Sequence, residues 1–306
     1  MTTIVLVVYD PADKLGCRTG LGECLESIKL LEGDYELIVV NNCSGNPSTR
    51  AFLAKELSGL RHSKLLDLNE NKGTSGGFNA GAALANKKSK ALVYMSPDAQ
   101  VVQPNLLNQC LKGLHSHTNV GIVHPFSVFE DNKEYNLNKK LSVEAFRTAY
   151  GAEQQSDLQP PELIGLFRQI RSNSLLSRAL HAFPLTFAVI KREPFTRIGG
   201  FDEGFRFGCY ENIDLALRLR RAGYTVHRLN TAVINHRRSQ LRGLTDVDRS
   251  MKDEAPHARI IEISRAYWQR KYGQPLQRVL LSESHGQFVG MMLYYIYRLR
   301  SALRSI

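Results

Sequence analysis

The chain is predicted to fold as an α/β protein with a mostly parallel central sheet flanked by helices. Three observations carry that expectation. Short apolar, β-branched runs alternate with helical periodicities through the first hundred residues. Loops rich in glycine, asparagine and serine follow the runs, and no stretch reaches the roughly twenty apolar residues of a membrane-spanning helix.

In chain order, residues 4–8 of MTTIVLVVYD read as a buried strand, 21–31 as a helix, 36–40 as a second strand and 49–57 as a helix. Residues 64–68 read as a third strand, 77–85 as a helix and 91–95 as a fourth strand. Such a β-α-β-α succession gathers ligands at the carboxyl ends of the strands. The loops there are NNCSGN (41–46), NENKGTSGGFNAG (69–81) and MSPDAQ (95–100). Gly73, Gly76 and Gly77 let backbone approach a bound group closely. Any one of these loops reads equally well as a tight turn; three on one rim point to a nucleotide pocket.

Residues 130–182, punctuated by Pro160-Pro161, break the alternation and read as a helical insertion over the pocket. The sheet resumes near residue 183. The stretch CYENIDLALRLRRAGY then reads as an amphipathic helix stopped by Gly223, with Glu211 and Asp214 in its first turn. Acids there cap a helix whether or not they do chemistry. The expected organisation is one domain over 1–240, insertion included, and a C-terminal helical extension over 241–306. In that extension Phe288, Met292, Tyr295, Leu299 and Leu303 fall on one helical stripe, with Arg298, Arg300 and Arg304 near its end. The stripe suits packing on the core or lying on an anionic membrane surface.

Composition narrows the partners. Hydrophobic residues make up 43% and charged residues 23% of the chain, which excludes a disordered protein. Forty Lys and Arg against 29 Asp and Glu leave +11, favouring anionic partners such as nucleotides, pyrophosphates or acidic lipids. The basic residues are dispersed and no nucleic-acid motif is present, so nucleic acid is not an expected partner. Cys17, Cys24, Cys43, Cys110 and Cys209 form no C-x-x-C pair, and their odd number argues for a reducing, cytoplasmic compartment. The N-terminus lacks the basic region of a signal peptide, so any membrane association is expected to be peripheral.

The order of motifs resembles family 2 glycosyltransferases of the GT-A fold, particularly the group with bacterial rhamnosyltransferase-like enzymes. Tyr9-Asp10 answers the family's Tyr-Asn at the end of the first strand. VNNCSGN answers V-D-N-x-S-x-D, and NKGTSGGFN (71–79) answers N-x-G-x-x-G-G-x-N. Ser96-Pro97-Asp98 answers the N-P-D or D-x-D element, GGFDE (199–203) answers G-G-F-D-E, and ENIDL (211–215) answers E-D-x-D-L. Each is weak alone, but together they run in family order across residues 4–239.

The resemblance implies a GT-A fold with a Rossmann-like sheet. It also implies inverting transfer of a hexose or deoxyhexose from a UDP- or dTDP-sugar to a glycan or lipid-linked glycan, in cell-surface polysaccharide synthesis. The donor contacts it implies are Tyr9, Asp10, Asn41, Asn42, Ser44, Asn71, Gly73, Gly76, Gly77, Asn79, Ser96 and Pro97. Those for the acceptor are Gly200, Phe201, Asp202, Glu203 and Asn212. Asp98 is a hard oxygen ligand suited to Mg²⁺ or Mn²⁺. His236, ending AVINH, is either a further metal or phosphate contact or a structural histidine.

Three Asp positions of the family are Asn here. Asn41 replaces the Asp expected to accept a hydrogen bond from the base, and an amide oxygen still accepts one. Asn46 lies where such change is tolerated. Asn212 stands where the family usually carries its base, and an amide cannot take a proton from the acceptor hydroxyl. Glu211 ranks first as the substitute base and Asp214 second. The alternative is a catalytically silent GT-A module that binds nucleotide sugar or glycan as a partner subunit.

Overall fold

The computed structural model describes residues 1–10, 15–60, 62–129, 185–206, 208–236, 256–285 and 287–303. Eight strands among them form one sheet: β1 (Thr2–Val8), β2 (Tyr35–Asn41), β3 (Ser63–Asp67), β4 (Ala91–Met95), β5 (Ala99–Val101), β6 (Val120–Phe129), β7 (Phe187–Lys191) and β8 (Thr225–His236). The helices are α1 (Leu15–Ile28), α2 (Pro47–Ser58), α3 (Gly73–Ala83), α4 (Leu106–Leu114), α5 (Arg192–Arg197), α6 (Glu211–Arg221), α7 (Pro256–Tyr272), α8 (Leu276–His285) and α9 (Gln287–Leu303).

The strand order is β3-β2-β1-β4-β7-β6-β8-β5. β1 pairs in parallel with β2 and β4, and β2 with β3. β7 runs antiparallel to β4 and β6, and β5 antiparallel to β8, which is parallel to β6. Six of the eight therefore run the same way. Every residue of β1 is buried because helices cover both faces of the sheet, which is why its sequence is continuously apolar rather than alternating. Ile4, Leu6 and Val8 pack under α1, α2 and α4, while Val5 and Val7 pack under α3, α5 and α6. A third core joins Phe205, Tyr210, Ile213 and Leu217 to Ile261 and Trp268 of α7 and Leu276 and Leu280 of α8.

All four strands and three helices expected in the first hundred residues are present. The helix expected from residue 77 begins at Gly73, so glycines that read as loop form its first turn. β5, α4 and β6 were not anticipated; β5 is three residues long and carries no periodicity to read. The insertion expected at 130–182 lies outside the described residues, as do 241–255 of the expected extension. Its remainder contributes α7, α8 and α9. Cys24, Cys43, Cys110 and Cys209 are free thiols.

Glycine sets how closely α3 meets the sheet. A Cβ at Gly77 would stand 2.6 Å from Val7 Cγ1, and one at Gly81 2.5 Å from Val5 Cγ1. The pair sits one turn apart on a helix face, and Val is stiff at χ1. Gly81→Ala is expected to cost about 1–3 kcal/mol through overpacking. Gly59→Ala, whose nearest neighbour would be 3.9 Å away, serves as the neutral control. Urea unfolding of the two variants checks this; equal midpoints would show that α3 shifts without cost.

Candidate active site

Because β1 to β4 are parallel, the residues after each strand share one edge of the sheet. Tyr9 and Asp10 follow β1; Asn42 and Ser44 follow Asn41, the last residue of β2; Ser96, Pro97 and Asp98 follow β4. Residues 71–79 lead into and through the first turns of α3. β8 runs in the same direction and ends at His236, registered opposite Ala99, so strand pairing sets its backbone beside Asp98. The His236 side chain lies outside the described residues.

Side chains cross-brace these loops. Ser44 Oγ accepts from the Asp10 amide at 3.0 Å, and Thr49 Oγ1 donates to Asp10 Oδ2 at 2.8 Å. Asp10 is 2% exposed, and its Oδ1 has no hydrogen-bond partner among the described residues. Asn42 ties two loops together: its Nδ2 donates to Asn71 Oδ1 at 2.9 Å and to the Gly73 carbonyl at 3.1 Å, while its Oδ1 accepts from the Lys72 amide at 2.9 Å. Asn41 accepts from the Ser44 amide at 3.1 Å and donates to Asp67 Oδ1 at 2.9 Å. Ser96 donates to Asp98 Oδ1.

The GGFDE loop is locked onto α3. Asn79 Nδ2 donates to the Phe201 carbonyl at 2.8 Å and to Glu203 Oε1 at 3.0 Å, and its Oδ1 accepts from the Phe201 amide at 3.0 Å. Phe201 also packs edge-on against Phe78, with ring centroids 5.2 Å apart. A Cβ on Gly76 would stand 3.2 Å from Glu203 Oε2, and one on Gly200 2.6 Å from Asn79 Oδ1. Asn79, Gly76 and Gly200 therefore shape the contact between two family motifs.

Behind that loop lies a buried ionic hub. Asp214 is fully buried; its Oδ2 accepts from Arg218 Nε at 2.7 Å, and its Oδ1 from Lys271 Nζ at 2.5 Å and Tyr272 OH at 2.6 Å. Arg218 goes on to the carbonyls of Ile198 at 3.0 Å and Gly200 at 2.7 Å. Lys271 also reaches Asp202 Oδ2 at 2.6 Å. Burial would raise the Asp202 carboxyl, but Lys271, the Gly204 amide and Tyr267 outweigh it and hold it below the usual carboxylate range. Burial and the Asp214 carboxylate push Tyr272 up, so it remains a hydroxyl donor.

Glu211 and Asn212 open α6, 4% and 6% exposed. The backbone entering the helix is left-handed three times in succession, with φ of +101° at Gly208, +62° at Cys209 and +74° at Tyr210. For Cys and Tyr that conformation is costly and persists only where surrounding contacts impose it, as they do at functional turns. Tyr210 is held by Trp268, with ring centroids 5.9 Å apart.

Among the described residues, no three His, Cys, Asp or Glu side chains form a group able to hold a metal ion. Asp98, at the carboxyl end of β4, supplies one hard oxygen donor of the kind such a cation takes. Such ions commonly take one or two protein ligands and complete their shell with phosphate oxygens and water.

Residues 4–199 match the family model for Glycosyl transferase family 2. The chain belongs to glycosyl transferase family 2. It is 26% identical over 247 residues to the uncharacterized protein y4gI of Sinorhizobium fredii, a match covering 80% of this chain and 26% of that protein. The chain thus spans about a quarter of that relative's length. Among solved structures it is similar to the mannosyltransferase PcManGT of Pyrobaculum calidifontis in complex with GDP-Man and Mn²⁺. That match has a TM-score of 0.55 and 15% identity, over 100% of this chain and 80% of that one. It is also similar to GalNAc-T7 with UDP, GalNAc and Mn²⁺. There the TM-score is 0.57 and the identity 14%, over 90% of this chain and 52% of the other. The fold of this family 2 member is GT-A.

Sequence reading missed Lys271, Tyr272 and Tyr267, which act on the GGFDE and ENIDL motifs from beyond the family match. No local pattern marks them, since their partners lie 57 to 69 residues away. Arg218 was legible in principle, four residues after Asp214 on a helix. Asp214→Asn is expected to destabilise the protein by about 3–5 kcal/mol, the range for breaking a buried ion pair by removing one partner. Urea unfolding measures it. A loss under about 1 kcal/mol, typical of ordinary surface change, would mean that the hub holds nothing in place.

Proposed function

We propose that the chain is an inverting glycosyltransferase that moves a hexose or deoxyhexose from a UDP- or dTDP-sugar to a glycan or lipid-linked glycan. Its setting is cell-surface polysaccharide synthesis, in the cytoplasm at the inner face of the membrane. The observation that carries this reading is the convergence of the loops after β1, β2 and β4 on one carboxyl edge, with Glu211 buried at the start of α6, the helix that follows the GGFDE loop locked onto α3 by Asn79. In this reading Asn41, Asp10 and the Asn42–Asn71 bridge hold the nucleotide. The enclosed Asp10 Oδ1 is an acceptor suited to a donor hydroxyl or amide of the nucleoside.

Asp98, with His236 brought alongside by strand pairing, would hold Mg²⁺ or Mn²⁺. A cation held there would supply positive charge to offset the negative charge on a departing diphosphate. The protein's own residues do the rest. Glu211 takes the proton of the acceptor hydroxyl as its oxygen bonds the anomeric carbon, and the bond to the nucleoside diphosphate breaks on the opposite face. The loop bearing Gly200, Phe201, Asp202 and Glu203 orients the acceptor, and the Asp214 hub holds that loop. Asp214 itself is too enclosed by cations to serve as base.

Asn212 favours a second reading, a silent module that binds nucleotide sugar or glycan without transfer. Two variants separate them. Glu211→Gln is expected to cut turnover by about a hundredfold or more with donor affinity unchanged. Asn212→Asp is expected to change turnover little. A large gain in transfer from Asn212→Asp would favour the silent module, and full activity in Glu211→Gln would remove Glu211 as base.

Donor binding gives a further check. Asp98→Ala and EDTA are each expected to abolish the thermal stabilisation that a UDP- or dTDP-sugar confers. Unaltered stabilisation in both would take the cation out of the account.

A further inference from the structure

We infer that α9 is a docking surface for an anionic lipid bilayer, on which the protein lies without crossing. The helix has two unlike faces. One is pressed on α8 at Gly290, where a Cβ would stand 2.4 Å from Ser282 Cα and 2.6 Å from the Leu281 carbonyl carbon. Only glycine permits that approach of two helix backbones. The other presents Val289, Met292, Tyr295 and Ile296 to solvent, with exposures of 44%, 50%, 55% and 41%. Spacings of three and four residues put them on one stripe. The stripe combines the Met292 and Tyr295 of the expected sequence stripe with two residues that it omitted. Phe288, Leu299 and Leu303, its other members, have side chains outside the described residues.

Four large apolar side chains exposed together on one helix call for a cover. Charge selects which. α9 contains no acidic residue, and Arg298, just past the stripe, is exposed. Across residues 256–303, leaving aside Lys271, which the hub already pairs, Arg259, Arg265, Arg270, Arg278, Arg298 and Arg300 stand against only Glu262 and Glu283. Glu283 is already paired with Arg221, at 2.5 Å. A second copy of this surface would bring mostly further cations to the contact, whereas acidic headgroups bring the counter-charge. Seventeen residues make a helix of about 25 Å. No helix among the described residues is long and apolar enough to cross a membrane. An amphipathic helix with apolar side chains in the acyl boundary, tyrosine at the headgroups and arginines beside them is an in-plane membrane element.

This deepens the reading of a lipid-linked acceptor, yet its test contains neither donor nor acceptor, so its failure leaves the transferase reading standing. The full chain is mixed with sucrose-loaded vesicles of phosphatidylcholine alone, or of phosphatidylcholine with phosphatidylglycerol, and sedimented. Binding is expected to the mixed vesicles and not to the neutral ones, and to weaken with added salt. Met292→Glu/Ile296→Glu is expected to reduce binding at least about tenfold with an unchanged melting temperature, since both side chains are exposed. Arg298→Glu, which leaves the apolar stripe intact, is expected to weaken binding in the same direction. Failure of the wild type to bind mixed vesicles overturns the inference, as does full binding by the double variant. A wild-type dimer that the double variant converts to monomer, seen by analytical ultracentrifugation, overturns it as well, because a second copy would then be the cover.

Discussion

A single carboxylate with no exposure to water organises the region where the family's motifs meet. Asp214 carries its charge into the interior, and that is tolerable because three donors from two different helices converge on it. Each donor is used twice or is itself packed. Arg218 grips the carbonyls of Ile198 and Gly200, Lys271 reaches Asp202, and Tyr272 stacks on Trp268 with ring centroids 4.3 Å apart. In a low-dielectric setting a fully satisfied network of this kind favours one arrangement and penalises any half-formed alternative. The GGFDE loop, helix α6 and helix α7 are thereby fixed relative to one another.

Order at the hub propagates to the edge of the sheet. The loop held from behind by Arg218 and Lys271 is held from the front by Asn79, and its Phe201 enters the aromatic cluster of Phe78, Tyr94 and Phe195. α3 can reach it only because Gly77 and Gly81 let the helix settle onto Val7 and Val5. The left-handed run from Gly208 to Tyr210 lies between the two anchors, where contacts on both sides can sustain its strain. Preorganisation of this kind lets a site stabilise a transition state without rearranging at the moment of reaction.

Most of the fold was legible because its signals are local. Continuous apolar runs marked β1, β2 and β4, and loops of small residues marked the carboxyl edge, since both follow from nearest-neighbour chemistry. The hub was legible only in part. Asp214 stood out as an acid in a helix's first turn, a position that a capping role explains as well as catalysis does. What distinguishes them is the arrival of Lys271 and Tyr272 from a helix whose own sequence gives no reason to place it there. Asn79 reads from its motif as a donor contact, and its hydrogen bonds to Phe201, 122 residues on, are not legible there. Long-range polar pairing has no period, and a single sequence does not display it.

The three Asp-to-Asn departures are physically unlike. Asn46 caps α2, its Oδ1 accepting from the Ser48 amide at 3.0 Å ahead of Pro47, a task that Asn and Asp perform about equally. Asn41 does something that Asp could not: it donates to Asp67 Oδ1 at 2.9 Å, while Arg50 Nε donates to Asp67 Oδ2 at 2.8 Å. An ionised Asp at position 41 would set two carboxylates against each other there, and one would have to bind a proton or turn away. The amide at 41 and the acid at 67 therefore belong together, and the polarity of that corner has been redistributed rather than lost. Asn212 is placed differently again, directly after Glu211 at the head of α6 and 6% exposed. In the proposed reading the chemistry turns on the pair at 211 and 212, because a carboxylate at 211 can take a proton that an amide at 212 cannot.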